Sequence, residues 1–325
     1  MWCHASRRAA LPTLLAILAA LPACGLTSGL PLTVDAKPGS IHTEPSLSGK
    51  TLTVSSKEFS EQLVLGEIAG IALKVAGAKV IDKTNIKGSI GAREALKKGS
   101  VDLYWEYTGT AWINYLGHTT PIADPQAQWS AVATQDLKNG IVWLPPAPLN
   151  NTYAFAGTQP NMLKYHLQTL TDVATLAKQN PGAVTFCVEN EFAARSDGLT
   201  GVLAAYGIKV PDSNIRKMQS GLIYTETAKG GTCLLGEVFT TDGRIAAMNL
   251  KVLEDNNHFF PNYNAAVTIN EKTYKKYPAI REVLTPITEK LTTDVMRTLN
   301  AEVDVAGREP RDVAKDWLKQ EGFIH

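Results

Sequence analysis

An α/β protein of two lobes facing one another across a cleft is the fold class this sequence predicts, and three observations predict it. A strand, a loop and a helix open the folded region at Leu52; a second unit of the same kind follows residue 150; and a stiff crossing, Leu144-Pro145-Pro146-Ala147-Pro148, lies between them. Each proline fixes its own φ and biases its predecessor away from helix, so this crossing carries the chain from one lobe to the other.

Taken in order, Leu52-Thr53-Val54-Ser55 is a β-prone run. A helix follows, with Ser60 as its cap, Glu61 in its first turn, an apolar face of Leu65, Ile68, Ala72 and Val75, and Gly77 as its stop. The theme repeats with a helix over Ala92–Lys98, Gly99 as its stop, and a strand from Val101 to Tyr104 running toward Tyr107. In the second unit Val184–Val188 is a strand, and Leu199–Tyr206 is a helix stopped by Gly207. Lys98-Gly99, a strand and Tyr107-Thr108-Gly109 are loosely echoed by Lys229-Gly230, a strand and Phe239-Thr240-Thr241-Asp242-Gly243, too loosely for a sequence repeat. A return crossing is predicted near Glu254 to Asn264. Apolar positions at Ile280, Leu284, Ile287, Leu291, Val313 and Trp317 then have helical spacing and pack back on the first lobe. The expected division is residues 51–149 with 258–325 for lobe 1, and 150–257 for lobe 2.

The start of the chain concerns location. Arg7 and Arg8 precede an apolar stretch from Leu11 to Ala23 that is too short for a bilayer core, which needs about 20 residues. Residues 1–24 read as a secretory signal, and Leu21-Pro22-Ala23-Cys24 resembles a lipobox, with Pro22 unusual there. Cys24 is then a lipid anchor, the alternative being ordinary cleavage near Ala23 and a soluble exported protein. Residues 25–50 are rich in Gly, Pro, Ser and Thr without apolar period and read as a flexible tether. With Cys3 in the signal, Cys187 and Cys233 remain in the folded body; in an exported protein they suggest one disulfide, against two unrelated buried thiols.

Two short stretches bear on chemistry: Trp105-Glu106-Tyr107-Thr108-Gly109-Thr110-Ala111 and Pro148-Leu149-Asn150-Asn151-Thr152-Tyr153-Ala154. Each ends an apolar run with a tyrosine. The negative face of an aromatic ring attracts a cation that offers no hydrogen-bond donor, which is what a quaternary ammonium requires. Lys57 and Tyr107 both fall at carboxyl ends of strands, where open α/β sheets bind ligands.

Ser56-Lys57-Glu58-Phe59-Ser60-Glu61-Gln62, Glu106-Tyr107-Thr108-Gly109-Thr110, Asn150-Asn151-Thr152-Tyr153, Arg195-Ser196-Asp197-Gly198-Leu199 and Thr241-Asp242-Gly243-Arg244 together resemble the substrate-binding proteins of osmoprotectant ABC importers. These take glycine betaine, choline, carnitine or related compounds, and the resemblance covers roughly residues 51 to 325. It implies a type II periplasmic-binding-protein fold with the ligand in the interlobe cleft. It also implies an aromatic box of Tyr107, Tyr153, Tyr224 and Phe239, with Asn151 where relatives often have aspartate. Lys57, Thr110 and Arg195 would hold a ligand carboxylate, a role suited to arginine's bidentate geometry. Phe239 departs from the tyrosine many relatives carry. The partners implied are a small quaternary ammonium and a membrane permease with its ATPase; the chain itself is read as a monomer, exported, anchored through Cys24, and without cofactor. The duller alternatives are ring packing at sheet ends, a surface pair of Arg195 with Asp197, and a solvated Lys57.

Other classes find little support. A formal net charge of +1 with scattered Lys and Arg offers nothing to nucleic acid. Gly49-Lys50-Thr51 lacks the glycine and preceding strand of a phosphate loop, the six histidines are too dispersed for a local metal motif, and no Gly-x-Ser-x-Gly elbow occurs. A sensory or scaffold lipoprotein that binds a related solute without transport is the remaining alternative.

Overall fold

The computed structural model describes residues 1–2 and 29–325; the leader from Cys3 on and Cys24 lie outside the described residues. The strands are β1 (Leu30–Pro31), β2 (Thr51–Lys57), β3 (Lys79–Ile86), β4 (Leu103–Tyr107), β5 (Ile141–Trp143), β6 (Tyr153–Thr158), β7 (Phe186–Val188), β8 (Ile215–Lys217), β9 (Leu235–Phe239), β10 (Leu250–Val252) and β11 (Ala265–Asn270). They form two sheets, one ordered β1-β3-β2-β4-β11-β5 and the other β10-β6-β9-β7-β8. The chain passes from the first sheet to the second between Trp143 and Tyr153, and returns between Val252 and Ala265.

Both sheets are mixed. β2 runs parallel to β3 and β4, whereas β11 is antiparallel to β4 and β5. The parallel pairing of β2 with β4 brings Lys57 and Tyr107, at their carboxyl ends, to the same edge. In the second sheet β7 is parallel to β8 and β9, and β6 is antiparallel to β9 with Tyr153 directly opposite Phe239.

Helix α1 (Ser60–Val75) is more deeply set than a single apolar face predicts. Val64, Leu65, Ile68, Ala69, Ile71, Ala72 and Leu73 are all buried, because α1 lies between β2 and β3 and the C-terminal helices Ile280–Lys290, Thr293–Asp304 and Pro310–Gln320. A helix buried on most of its circumference is a core helix, and its buried Glu61, Gln62 and Glu67 are polar exceptions. Phe59, not Ser60, occupies the cap position, and the Ser60 hydroxyl instead donates to Asp304 Oδ1 at 2.5 Å. Gly77 follows with φ of 108°, a backbone conformation that favours glycine. Helix α2 (Ser89–Lys97) begins three residues earlier than its apolar pattern suggests.

The tether reading of 25–50 is corrected from Gly29 onward. β1 pairs antiparallel with β3, Lys37 and His325 exchange backbone hydrogen bonds, and Leu32, Ile41 and Leu47 are buried, Leu47 at 0 % exposure. The segment lacks periodicity because it is not itself a helix or long strand. It adds single apolar pegs to a core built by other elements and covers the β3 edge, which would otherwise expose unpaired backbone groups. The folded body therefore includes residues 29–50, ahead of Thr51.

Cys187 and Cys233 form a disulfide across a sequence separation of 46, joining β7 to the segment that enters β9. In the chain-entropy model a loop of that length contributes about 4 kcal/mol.

Candidate functional site

Lys57 ends β2, where a register shift at Ser55/Lys57 turns the strand. Its ammonium is buried and donates to Glu106 Oε1 at 2.6 Å and Ser89 Oγ at 3.2 Å. Glu106 is saturated: Tyr104 and Tyr115 hydroxyls reach Oε2, each at 2.8 Å, and the Tyr107 N–H reaches Oε1 at 2.7 Å. A buried ion pair persists when its remaining lone pairs are met in this way. Tyr107 closes β4 and donates its hydroxyl to Glu61 Oε1 at 2.7 Å. Thr110 follows in a short helical turn, Thr108–Thr110, that runs into a π-helical segment, Ala111–Tyr115. Within that turn a Cβ on Gly109 would lie 2.6 Å from Asn262 O and 2.7 Å from the Tyr263 ring, so glycine allows the close approach.

On the opposite side, the β6–β9 register sets the Tyr153 and Phe239 rings 5.2 Å apart. Tyr153 also packs on Phe192 at 4.7 Å and edge-on to Tyr263 at 5.2 Å. Arg195 grips Asp197 with Nε at 2.8 Å and a terminal nitrogen at 2.6 Å, and its guanidinium carbon stands 5.4 Å from the Tyr153 ring centroid. Asp197 also accepts from the Tyr263 hydroxyl at 2.6 Å. Phe59 joins the two sides, stacked on Phe239 at 5.5 Å and on Tyr107 at 6.1 Å.

Glu191 crosses the cleft. Its carboxylate accepts from Ser89 Oγ at 2.7 Å and Ser89 N at 3.3 Å, and from Arg195 at 3.3 Å. Burial works against its charge, but nearby Lys57 together with Ser89 and Arg195 outweighs it and holds the carboxyl below its ordinary range. Glu189 differs: burial, with Glu58 and Glu191 close by, pushes it up to about 7 despite a hydrogen bond from the Ser220 N–H.

Lys57, Tyr107, Thr110, Asn151, Tyr153, Arg195 and Phe239 all line one cavity of about 430 Å³ between the sheets. Tyr224 does not join them. It is 1 % exposed within the second lobe, its hydroxyl accepts from the Phe239 N–H at 3.0 Å, and Arg244 covers its ring at 4.0 Å. The helix Ser220–Ala228 presents its first residues, Ser220 and Gly221, to the cavity and turns Tyr224 toward β6 and β9. Sequence reasoning missed Phe59 and Tyr263 as lining rings, and Ser89, Glu189, Glu191 and Arg244 as lining polar groups. Phe59 lay inside a noted motif, whereas Tyr263 was read only as part of an irregular crossing.

The protein-family model described as the substrate binding domain of ABC-type glycine betaine transport system matches residues 50–320. The chain belongs to that family. Among its relatives is the glycine-betaine-binding protein of Pseudomonas aeruginosa PAO1, 37 % identical over 280 residues that cover 85 % of this chain and 89 % of that protein. The ergothioneine transport permease/ergothioneine binding protein EgtU of Helicobacter pylori G27 is 33 % identical over 86 % of this chain and 49 % of its own length. In fold, the solved structure of apo YehZ from Escherichia coli superposes with a TM-score of 0.63 at 28 % identity, covering 84 % of this chain and 99 % of that one. This family member therefore has the two-lobed periplasmic-binding-protein fold and is the substrate-binding component of ABC-type glycine betaine and osmoprotectant transport, not an enzyme. Substrate-binding proteins of ABC importers work outside the cytoplasm with a membrane permease. No helix among the described residues is long and apolar enough to cross a membrane.

Proposed function

We propose that the chain captures a quaternary ammonium osmoprotectant, the zwitterion glycine betaine foremost and carnitine or the cation choline as further candidates, and delivers it to the permease. The observation that carries this reading is the ring wall of Tyr107, Phe59, Phe239, Tyr153 and Tyr263, contributed by both sides of one cavity that also contains Lys57, Thr110 and Arg195. The ammonium lies against the rings, and the ligand carboxylate faces the two cations. The name of the Pseudomonas aeruginosa relative supports glycine betaine.

Magnitudes favour a ligand with both charges. Three desolvated cation–π contacts at about 2 kcal/mol each supply roughly 6 kcal/mol. A micromolar complex needs about 8 kcal/mol, so the carboxylate contacts are required as well. Closure of the lobes excludes water from the rings, and contacts such as Glu191 with Ser89 and Asp197 with Asn114 hold the closed form that the permease meets. Cys24 carries the lipid that keeps the protein at the membrane.

Calorimetric titration of ligand-stripped protein with glycine betaine, choline, carnitine and proline tests the reading. Saturable binding with glycine betaine first is expected; silence toward all three quaternary ammonium compounds would remove it.

A further inference from the structure

Glu61 is a buried carboxylate at 3 % exposure whose four hydrogen-bond partners are all neutral. Tyr107 OH at 2.7 Å and Asn151 Nδ2 at 2.8 Å reach Oε1; Thr241 Oγ1 at 2.5 Å and Asn300 Nδ2 at 3.0 Å reach Oε2. Glu106, on the same lobe, has the Lys57 ammonium at 2.6 Å. A carboxylate taken out of water without a counter-charge is heavily penalised, and that penalty is met by pairing or by neutralisation. Burial pushes the Glu61 carboxyl up and the four donors oppose that rise, so a cation brought close by a ligand favours the ionised form; both amides turn their nitrogens to Glu61, leaving Asn151 Oδ1 and Asn300 Oδ1 without partners among the described residues.

The place of Glu61 is as telling as its lack of a paired cation among the described residues. It borders a small cavity it shares with Phe59 and Phe239, two rings of the ligand wall, and it holds the hydroxyl of a third, Tyr107. Arg244 borders the same cavity, but its guanidinium is taken by Asp242, at 2.9 and 2.5 Å, and by Asp304 at 3.7 Å.

We infer that Glu61 is the built-in counter-charge for the ligand's quaternary ammonium, a positioning residue that fixes Tyr107 and places a negative charge behind the aromatic wall. The inference rests on the proposed quaternary ammonium ligand and adds where the compensating charge resides. It acts across the ring layer, since a quaternary nitrogen has no proton to share and is attracted through space. The hydrogen bond from Tyr107 to the carboxylate also makes that ring more electron-rich, which strengthens its hold on a cation.

The test compares choline with its uncharged carbon isostere, 3,3-dimethylbutan-1-ol, by calorimetric competition on the full mature protein and on Glu61→Gln and Glu61→Asp, with thermal unfolding as the control for folding. The wild type prefers choline; Glu61→Gln should cut that preference by about tenfold or more, as expected for loss of a unit charge in a partly desolvated site. Glu61→Asp, which keeps the charge, should restore most of it. If both variants weaken the two ligands in parallel, or if Glu61→Asp loses the preference although folded, the carboxylate serves packing alone and the inference fails while the ligand reading stands. If the wild type binds neither choline nor glycine betaine, the ligand reading itself fails and takes the inference with it.

Discussion

The two walls of the cleft hold their rings by different means. On the first-sheet side Tyr107 is fixed by a hydrogen bond to Glu61, which Asn151, Thr241 and Asn300 also hold, and Lys57 is locked to Glu106. On the second-sheet side Tyr153 is placed by strand register opposite Phe239 and by packing on Phe192, Phe260 and Tyr263. A polar network fails when one member is lost, because the others remain buried without partners; a packed wall loses contacts in proportion to the atoms removed. The first wall therefore sets the direction of the Tyr107 ring, and the second sets the shape of the cavity.

Several changes sharpen this contrast. The disulfide belongs to the second lobe alone, so Cys187→Ser with Cys233→Ser should lower unfolding free energy by up to about 4 kcal/mol. Urea denaturation followed by a fluorophore in each lobe should show the second lobe losing more. Tyr107→Ala removes a ring and strips a donor from Glu61; glycine betaine affinity should fall by about 2 kcal/mol or more, roughly 30-fold, in calorimetry. Phe239→Tyr keeps the ring in the packed wall and should change affinity by less than about tenfold.

A pH-dependent effect concerns Glu189, whose carboxyl is pushed from 4.5 up to about 7, chiefly by burial. The folded state retains a proton that the unfolded state gives up, so this group's contribution is fully present below pH 4.5 and is lost as pH rises toward 7. Glu189→Gln should flatten the decline in urea midpoint across that window; an unchanged slope would assign it to other groups.

Much of this arrangement was legible before any coordinates. Lys57 and Tyr107 could be placed because each ends a β-prone run, and ligands gather at strand ends in such folds. The loose echo between the ends of β4 and β9 sets Phe239 in the position that corresponds to Tyr107. Tyr224 enters the box only through the family resemblance, and the run Leu222-Ile223-Tyr224 does not declare which residue faces inward: Leu222 is 53 % exposed, and Tyr224 is buried away from the cavity. Glu61 read as an ordinary first-turn acid, since its partner Asn300 lies 239 residues away and no local pattern announces such a contact. The segment from Gly29 to Lys50 reads as a tether for a related reason. Its anchors, Leu32, Ile41 and Leu47, are single residues whose burial depends on a core built elsewhere.

The central claim is that one ring wall, contributed by both sheets, holds the ammonium while Lys57, Thr110 and Arg195 face the carboxylate. A crystal structure of the protein with glycine betaine bound tests it most directly. The account predicts the quaternary nitrogen within about 6 Å of the ring centroids of Tyr107, Tyr153 and Phe239, with the carboxylate turned toward Lys57 and Arg195. A nitrogen lying outside those rings, with the carboxylate pointing away from both cations, would contradict it.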